Sequence, residues 1–451
     1  MGDATVVAIG TGTFARGVHP YEGKELAQNA AIEVLPHPAQ VLVPVLQHIG
    51  APAKLPAKLP KEVKAGDRLG EPGGFVSAPV HASVSGKVGK AVNLTLPNGR
   101  HVAAVPITTA AEQPPADEIF AAALGGDWPT TDLPELEPAA ITEAVKNGGL
   151  VGMGGAAFPT YVKLTRNEKK PVDVVLVNGC ECEPYLTADY RLMVEAPRAI
   201  VAGALLAARA AGAGQVVIAV EKNKPAGISA LEEACRGTIA SVKPLETKYP
   251  MGGEKQTVPA ALGRIIPTGG LPLDVGVVVI NVGTAVSIAG AVLREQPVTH
   301  RVVTVTGRGI TTPKNLLVAV GTPYQVLIDA CGGLRPDAAR VVSGGPMMGF
   351  TVTDLSTPVT KGTSGLTVLT EGDVTHAGET SCVRCGRCVD VCPLGLVPTK
   401  IALAARKEIW DVAQRYHIVA CMECGCCAYT CPASIPLVQL IRMGKARMPR
   451  N

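Results

Sequence analysis

Aromatic side chains are scarce: Phe, Trp and Tyr make up 3% of 451 residues. Proteins that hold single-stranded nucleic acid stack bases on such rings, so that class is disfavoured. Charge of one sign is also missing. Lys and Arg number 42 against 38 Asp and Glu, a net of +4, too mild to argue for a nucleic-acid partner. Long apolar runs are nearly absent, although mean hydropathy is +0.25. One uncharged stretch, "VGVVVINVGTAVSIAGAVL" at 275–293, approaches the roughly twenty residues of a membrane span. Its first half is β-branched, and Asn281, Gly283 and Thr284 interrupt it. It reads as a buried strand, a turn and a helix. No secretory apolar region opens the chain. The expectation is a soluble or peripheral protein in a reducing compartment.

What is plentiful is glycine (50), proline (37) and, unusually, cysteine (13). Eight cysteines form two copies of C-x2-C-x2-C-x3-C-P. The first, "CVRCGRCVDVCP", holds Cys382, Cys385, Cys388 and Cys392. The second, "CMECGCCAYTCP", holds Cys421, Cys424, Cys427 and Cys431 at an offset of 39 (382 to 421). Three cysteines at steps of three converge on three irons of a [4Fe–4S] cube. The fourth reaches the other cube. One cluster is therefore assigned to Cys382, Cys385, Cys388 and Cys431, the other to Cys421, Cys424, Cys427 and Cys392. Cys426 falls off the template and reads as a bystander. Zinc pairs C-x2-C knuckles across a loop, and disulfide scaffolds suit short secreted chains; neither fits two complete copies. Cys180, Cys182, Cys235 and Cys331 have no cluster spacing, and the last two read as small core residues.

The length suits three or four domains. Residues 1–110 are rich in β-formers, and "VKAGDRLGEPGGFVSAPVHASVSGKVGKAV" (63–92) resembles the biotinyl/lipoyl barrel-sandwich. Those carriers hold a lysine at the hairpin. Here it reads "GGFVSAPV", which predicts the scaffold without the modification. Residues 111–135 read as an acidic, Pro-rich linker. From 136 to 295, strand runs such as "VDVVLVNG" and "QVVIAVEKN" alternate with helical segments such as "RAIVAGALLAARAAGAG". Alternation of this kind predicts a parallel sheet with helices on its faces. Residues 296–370 return to short strands as a mixed α+β module. Residues 371–440 hold the two-cluster segment, and a basic tail, 441–451, carries Arg442, Lys445, Arg447 and Arg450. This tail reads as a solvated end that could meet an acidic ferredoxin.

Four glycine-containing loops fall at strand ends: "GLVGMGGAAFPTYVKL" (149–164), "VNGCECEPY" (177–185), "YPMGGEK" (249–255) and "NVGT" (281–284). Ligands of open parallel sheets bind at the carboxyl ends of strands. Clustered Gly152, Gly154 and Gly155 let backbone amides approach a phosphate, with Lys163 as a nearby positive charge. Taken by itself such a turn is more often empty than occupied. Asn178 and Asn281 can donate to and accept from an isoalloxazine edge or ribityl chain. Glu183 and Glu254 can accept from ribose or carboxamide groups.

These motifs resemble the flavin- and NADH-binding subunit of respiratory complex I, and more closely the C-subunit family of Rnf-type ferredoxin:NAD oxidoreductases. The likeness extends to "RGVHPYEGKEL", "GGFVSAPVHASVSG", "SGGPMMGF" and "VTKGTSG", so it spans nearly the whole chain. It implies that Gly152, Gly154, Gly155, Lys163, Asn178, Asn281 and Thr284 hold FMN. It implies that Phe158 stacks on the nicotinamide cofactor, with Glu183 and the Gly252-Gly253-Glu254 loop lining its site. It also implies a β-grasp, soluble-ligand-binding module at 296–370 and a bacterial-ferredoxin-like helical domain at 371–440, behind a Rossmann-like flavin domain.

The sequence departs from the complex I pattern at Met153, Cys180, Gly253 and Thr165, which weakens nicotinamide binding more than flavin binding. The implied activity is that of an ion-translocating oxidoreductase subunit. It would pass electrons between NAD(H), FMN and two clusters, as a peripheral part of a complex on the cytoplasmic face of the bacterial cell membrane. Its implied partners are the other subunits and ferredoxin or an iron–sulfur subunit. Membrane contact would be indirect. Two rivals remain: a flavin/iron–sulfur cobalamin reductase, against which the long N-terminal module argues, and a two-cluster wire with a vestigial nucleotide pocket.

Overall fold

The structure is a computed structural model that describes residues 10–449; residues 1–9 and the predicted basic Arg450 lie outside the described residues. At its centre is a four-stranded, all-parallel sheet. Its order is Ala240–Leu245, Gln215–Glu221, Val174–Asn178, Val277–Asn281. The middle strands are β-branched runs buried on both faces, as a sheet covered by helices on two sides requires. The uncharged stretch divides as expected, into the strand Val277–Asn281 and the helix Val282–Leu293. Among the described residues no helix is long and apolar enough to cross a membrane. That helix packs on the Ala-rich helix Pro197–Ala211 at close range. A Cβ on Gly203 would lie 1.8 Å from the Ala285 carbonyl oxygen.

The N-terminal β-formers make two antiparallel sheets. One joins Gln40–Pro44, His101–Thr109, Gly86–Val88 and Glu62–Val63, with Val92–Thr95 on His101–Thr109. The other pairs Arg68–Gly70 with Val80–His81. Val41, Val43, Leu69, Val80, Val105 and Ile107 form their common core. A mixed sheet of six strands follows, in the order Ile32–Val34, Lys314–Ala319, His300–Thr306, Gly365–Thr370, Ala338–Ser343, Phe350–Val352, with the helix Tyr324–Ala330 against it.

Three segments differ from expectation. Ile32–Val34 lies in the predicted N-terminal unit but pairs in parallel with Lys314–Ala319, covering what would otherwise be an open sheet edge. The predicted linker 111–135 is ordered: it contains the helix Ala116–Ala123, and Ile119, Leu124 and Trp128 are buried in the main core. The Arg294 guanidinium sits 3.4 Å from the Trp128 ring centre. Acidic and proline residues mask these apolar anchors in the sequence. The predicted basic tail is the end of the helix Leu437–Arg447. Arg442 and Lys445 pair with Glu423 at 3.0 and 2.7 Å, and Arg447 faces Glu408 at 3.4 Å. These cations close the cysteine module on itself.

The internal duplication is visible in the backbone. Helices Arg387–Asp390 and Pro398–Arg406 recur 39 residues on as Cys426–Tyr429 and Leu437–Arg447. Positive φ recurs likewise, at Arg384 (56°) and Glu423 (61°), and at Gly386 (79°) and Gly425 (87°). Cys426 occupies the place of Arg387 in the first copy.

Candidate functional site

Asn178 and Asn281 are direct partners in register at the carboxyl edge of the parallel sheet. Asn281 caps the following helix: its Oδ1 accepts from the Gly283 amide at 2.8 Å. Its Nδ2 donates to Asp189 at 2.6 Å. The glycine turn arches over this edge. Val151 bridges Pro159, and the Gly152 amide donates to the Phe158 carbonyl at 2.8 Å. At the exposed tip, Gly155 has a φ of 107° and nothing within 4 Å of a Cβ position. A side chain there would be strained and would fill the space above the sheet edge. Gly154 faces Asn281, with 3.4 Å between its Cβ position and the Asn281 Cβ. Thr284 fixes the root of the turn, accepting from the Met153 amide at 2.9 Å.

The structure thus brings Gly152, Gly154, Gly155, Asn281 and Thr284 together. Phe158 is half-buried beside them. Lys163 and Glu254, read separately from the sequence, pair with each other at 2.8 Å, and Lys163 also donates to the Val279 carbonyl. Asn178 is a brace between loops: Nδ2 donates to the Gly252 carbonyl at 2.8 Å and Oδ1 accepts from the Cys180 amide at 3.1 Å. Glu183 faces the six-stranded sheet, accepting from the Met347 and Met348 amides at 3.2 and 2.7 Å. Burial raises its pKa to about 7.

Several residues at this edge are not among the predicted site residues. Lys24 is buried, and its ammonium donates to the carbonyls of Glu181, Glu183 and Leu186 at 2.8, 3.0 and 2.6 Å. It thereby ties down the asparagine loop. Burial raises the pKa of the Asp189 carboxyl. The Arg301 guanidinium enters from the six-stranded sheet and donates to the Met153 sulfur at 2.8 Å. Its Nε has no partner among the described residues, and burial lowers its pKa to about 10. Lys24 lies within "RGVHPYEGKEL" and Asp189 four residues beyond "VNGCECEPY", but their contacts, like that of Arg301, join segments distant in sequence and only the fold reveals them.

Beyond the sheet edge, the "YPMGGEK" loop meets the cysteine module. A Cβ on Gly253 would lie 2.5 Å from Met422 Cε, and one on Gly252 would lie 3.1 Å from Cys182 Sγ. A side chain at 253 would displace the ends of Met422 and Gln256, so this loop and the cysteine module are in direct contact. Cys392, Cys421, Cys424, Cys426 and Cys427 line one cavity, with Met422, Leu394, Leu396, Ile401, Val438 and Ile441 among its walls. Four of these five cysteines are the set assigned to one cluster, with Cys392 crossing from the first motif; the fifth, Cys426, lies in the same wall without a template position. Of the other set, Cys382 and Cys385 are exposed, Cys388 is buried and Cys431 is half-buried. Among the described residues no three Cys, His, Asp or Glu side chains converge on a single ion position. Cysteines set around a cavity suit a cube, in which each thiolate meets its own iron. Cys235 and Cys331 are buried, as expected.

Family models match residues 12–112 (RnfC barrel sandwich hybrid domain), 145–290 (Nuo51 FMN-binding domain), 302–351 (SLBB domain) and 381–435 (4Fe-4S dicluster domain). The C-subunit of the proton-translocating ferredoxin:NAD(+) oxidoreductase complex of Clostridium ljungdahlii is 42% identical, over 96% of this chain and 93% of its own. The Na(+)-translocating counterpart of Acetobacterium woodii is 44% identical, over 96% of each chain. The C-subunit of the ion-translocating oxidoreductase complex of Rhodobacter capsulatus is 39% identical, over 96% of this chain and 82% of its own. The chain belongs to the C-subunit family of Rnf-type, ion-translocating ferredoxin:NAD oxidoreductase complexes.

Proposed function

We propose that this chain is the NAD(H)-facing electron-transfer subunit of such a complex, with FMN at the glycine turn and two [4Fe–4S] clusters in the cysteine module. When bound, FMN accepts an electron pair and releases single electrons, and the clusters carry those singly. The residues fit these groups. Gly154 and Gly155 leave an open cradle whose exposed amides can meet a phosphate; Lys163 would add positive charge there by exchanging its Glu254 partner for the phosphate. Asn281 and Thr284 fix the cradle's floor. Phe158 and the Gly252-Gly253-Glu254 loop would line the nicotinamide side; Glu183, expected there, has its carboxyl turned onto the Met347 and Met348 amides and would support that side from behind. Cys392, Cys421, Cys424 and Cys427 would hold one cluster, and Cys382, Cys385, Cys388 and Cys431 the other. The first set adjoins the 249–255 loop through Met422 and the Cys424 carbonyl, and the second contains the exposed cysteines.

What supports this order most is the seam itself: the loop carrying Gly252, Gly253 and Glu254 touches the walls of the cysteine cavity through Met422. Within the chain, a Rossmann-like flavin unit, a β-grasp module and a ferredoxin-like module would form one electron path. The exposed motif would receive electrons from ferredoxin or an iron–sulfur subunit. The chain would sit peripherally on the cytoplasmic face of the cell membrane, held by its partner subunits.

Anaerobic purification with iron, sulfide and flavin analysis, followed by NADH titration, tests this. The expected result is about eight irons per chain, one FMN, and flavin bleaching before cluster reduction. Clusters reducible by dithionite with no flavin bleaching would favour the wire.

A further inference from the structure

The glycine turn is held from outside its own domain. Gly152, Gly154 and Gly155 give it little order of its own, because glycine loses more freedom on ordering than any other residue. Besides the Met153–Thr284 bond within the domain, contacts with other modules hold it at three points. At its start, Lys361 from the "VTKGTSG" loop donates to the Gly149 carbonyl at 2.7 Å and to the Pro79 carbonyl at 2.9 Å. On its far limb, the Ile49 amide donates to the Ala157 carbonyl at 3.2 Å. Gly362, next to Lys361, approaches Ala157 so closely that its Cβ position lies 3.2 Å from the Ala157 Cβ. Just beyond the turn, the Tyr161 hydroxyl donates to the Phe75 carbonyl. The two rings meet edge to face at 6.3 Å and 78°.

Phe75 and Pro79 belong to "GGFVSAPV", the hairpin where carrier domains hold their modified lysine. Here the hairpin's carbonyls are turned onto the turn's supports. Lys361 is a demanding residue for such a place. It is 1% exposed, its ammonium meets carbonyls only, and burial lowers its pKa to about 7. A buried ammonium without a carboxylate is unfavourable, and a methionine would fill the same space. Its own amide is pinned by Gln47 Oε1 at 3.0 Å. His81, in the same wall, is kept neutral by burial and by Lys361, with its Nδ1 unpartnered. Lys361 is thus a flexible donor that joins all three modules at Gly149.

We propose that Lys361 and the unmodified barrel-sandwich hairpin brace the glycine turn, so that the N-terminal module is a fixed wall of the flavin pocket and not a carrier of a swinging group. Its functional half rests on the flavin reading above; its structural half does not. Lys361 and Tyr161 are positioning residues: they touch the turn's backbone and its neighbours, not the cofactor.

The test uses the full chain, prepared anaerobically, with Lys361→Met and Tyr161→Phe. Amide hydrogen exchange of 149–158 is read without FMN, and FMN affinity is read separately by quenching of its fluorescence. Each variant is expected to exchange about tenfold faster across the turn and to bind FMN about tenfold more weakly. Iron content should stay at the wild-type value. Should Lys361→Met fail to fold, Tyr161→Phe, which removes one hydroxyl, carries the test. A turn that exchanges at the wild-type rate in a folded variant overturns the proposal. So does an unchanged FMN affinity on a loosened turn. A wild-type chain that binds no FMN would defeat the flavin reading instead, and the exchange measurement still decides the brace.

Discussion

The Tyr249 hydroxyl donates to the Cys424 carbonyl at 2.6 Å, joining the parallel-sheet domain to a predicted cluster ligand. Val18, Cys426, Cys182, Met347 and Met422 pack around this bond. They come from the N-terminal segment ahead of Ile32–Val34, the asparagine loop, the six-stranded module and the cysteine module. Four parts of the chain therefore meet where electrons would pass between flavin and cluster.

Tyr249→Phe removes that bond and leaves a buried carbonyl unpaired. The loss is expected to cost about 1 kcal/mol. Electron transfer from NADH-reduced flavin to the clusters should slow, while flavin bleaching keeps its rate. Stopped-flow spectra at flavin and iron–sulfur wavelengths separate the two steps. Equal slowing of both would show that Tyr249 acts on the flavin pocket.

The fifth cysteine of the second motif gives a clean contrast. Cys424→Ala should lower iron from about eight to about four per chain, because one corner of the cavity loses its thiolate. Cys426→Ala should leave about eight, since Cys426 replaces Arg387 of the first copy and carries no template position. Iron analysis and low-temperature EPR of anaerobic protein read both. Loss of a cluster in Cys426→Ala would exchange the roles of the two residues.

Much of this was legible in the sequence because it rests on local rules. The cysteine spacing fixes a turn geometry, and the same positive φ values recur 39 residues apart. Strand and helix periods predict the parallel sheet, and the uncharged run 275–293 divides at Asn281 as its composition implies. What the sequence hid is contact between distant segments. Nothing near Ile32 announces a partner at Asn315. Trp128 is concealed by prolines and acids, although it is 2% exposed. Asn178 carries a flavin-site motif yet spends both ends of its amide on Gly252 and Cys180. Arg301 reaches Met153 across 148 positions. Such pairings depend on how the modules dock, which no local period encodes.

Glu183 should make stability fall with pH. Its folded pKa, about 7, lies above the ordinary 4.5. Between those values the folded state keeps a proton that the unfolded chain has lost, so stability declines as pH rises from about 4.5 to about 7 and levels off above. The contribution is on the order of 1–3 kcal/mol. Glu183→Gln cannot titrate and should flatten this part of the profile. Thermal unfolding of the apoprotein between pH 4.5 and 8 is the measurement, and parallel profiles for the two proteins would show that the proton resides elsewhere.

Asp189 is expected to govern flavin affinity through Asn281. The Asn281 amide is fully oriented: Oδ1 accepts from Gly283, and one hydrogen of Nδ2 goes to Asp189. The second hydrogen is left for the space beneath Gly154. Asp189→Ala removes the acceptor that fixes this orientation and takes a nearby negative charge from buried Arg301. FMN binding should weaken about tenfold to a hundredfold. Asp189→Asn keeps an oxygen in place but not the charge, so it should recover the part of the loss due to orientation. Fluorescence titration with FMN compares the three proteins. If Asp189→Asn is as weak as Asp189→Ala, the charge opposite Arg301 matters and the amide's orientation does not. If neither differs from wild type, Asn281 does not present its amide to the flavin.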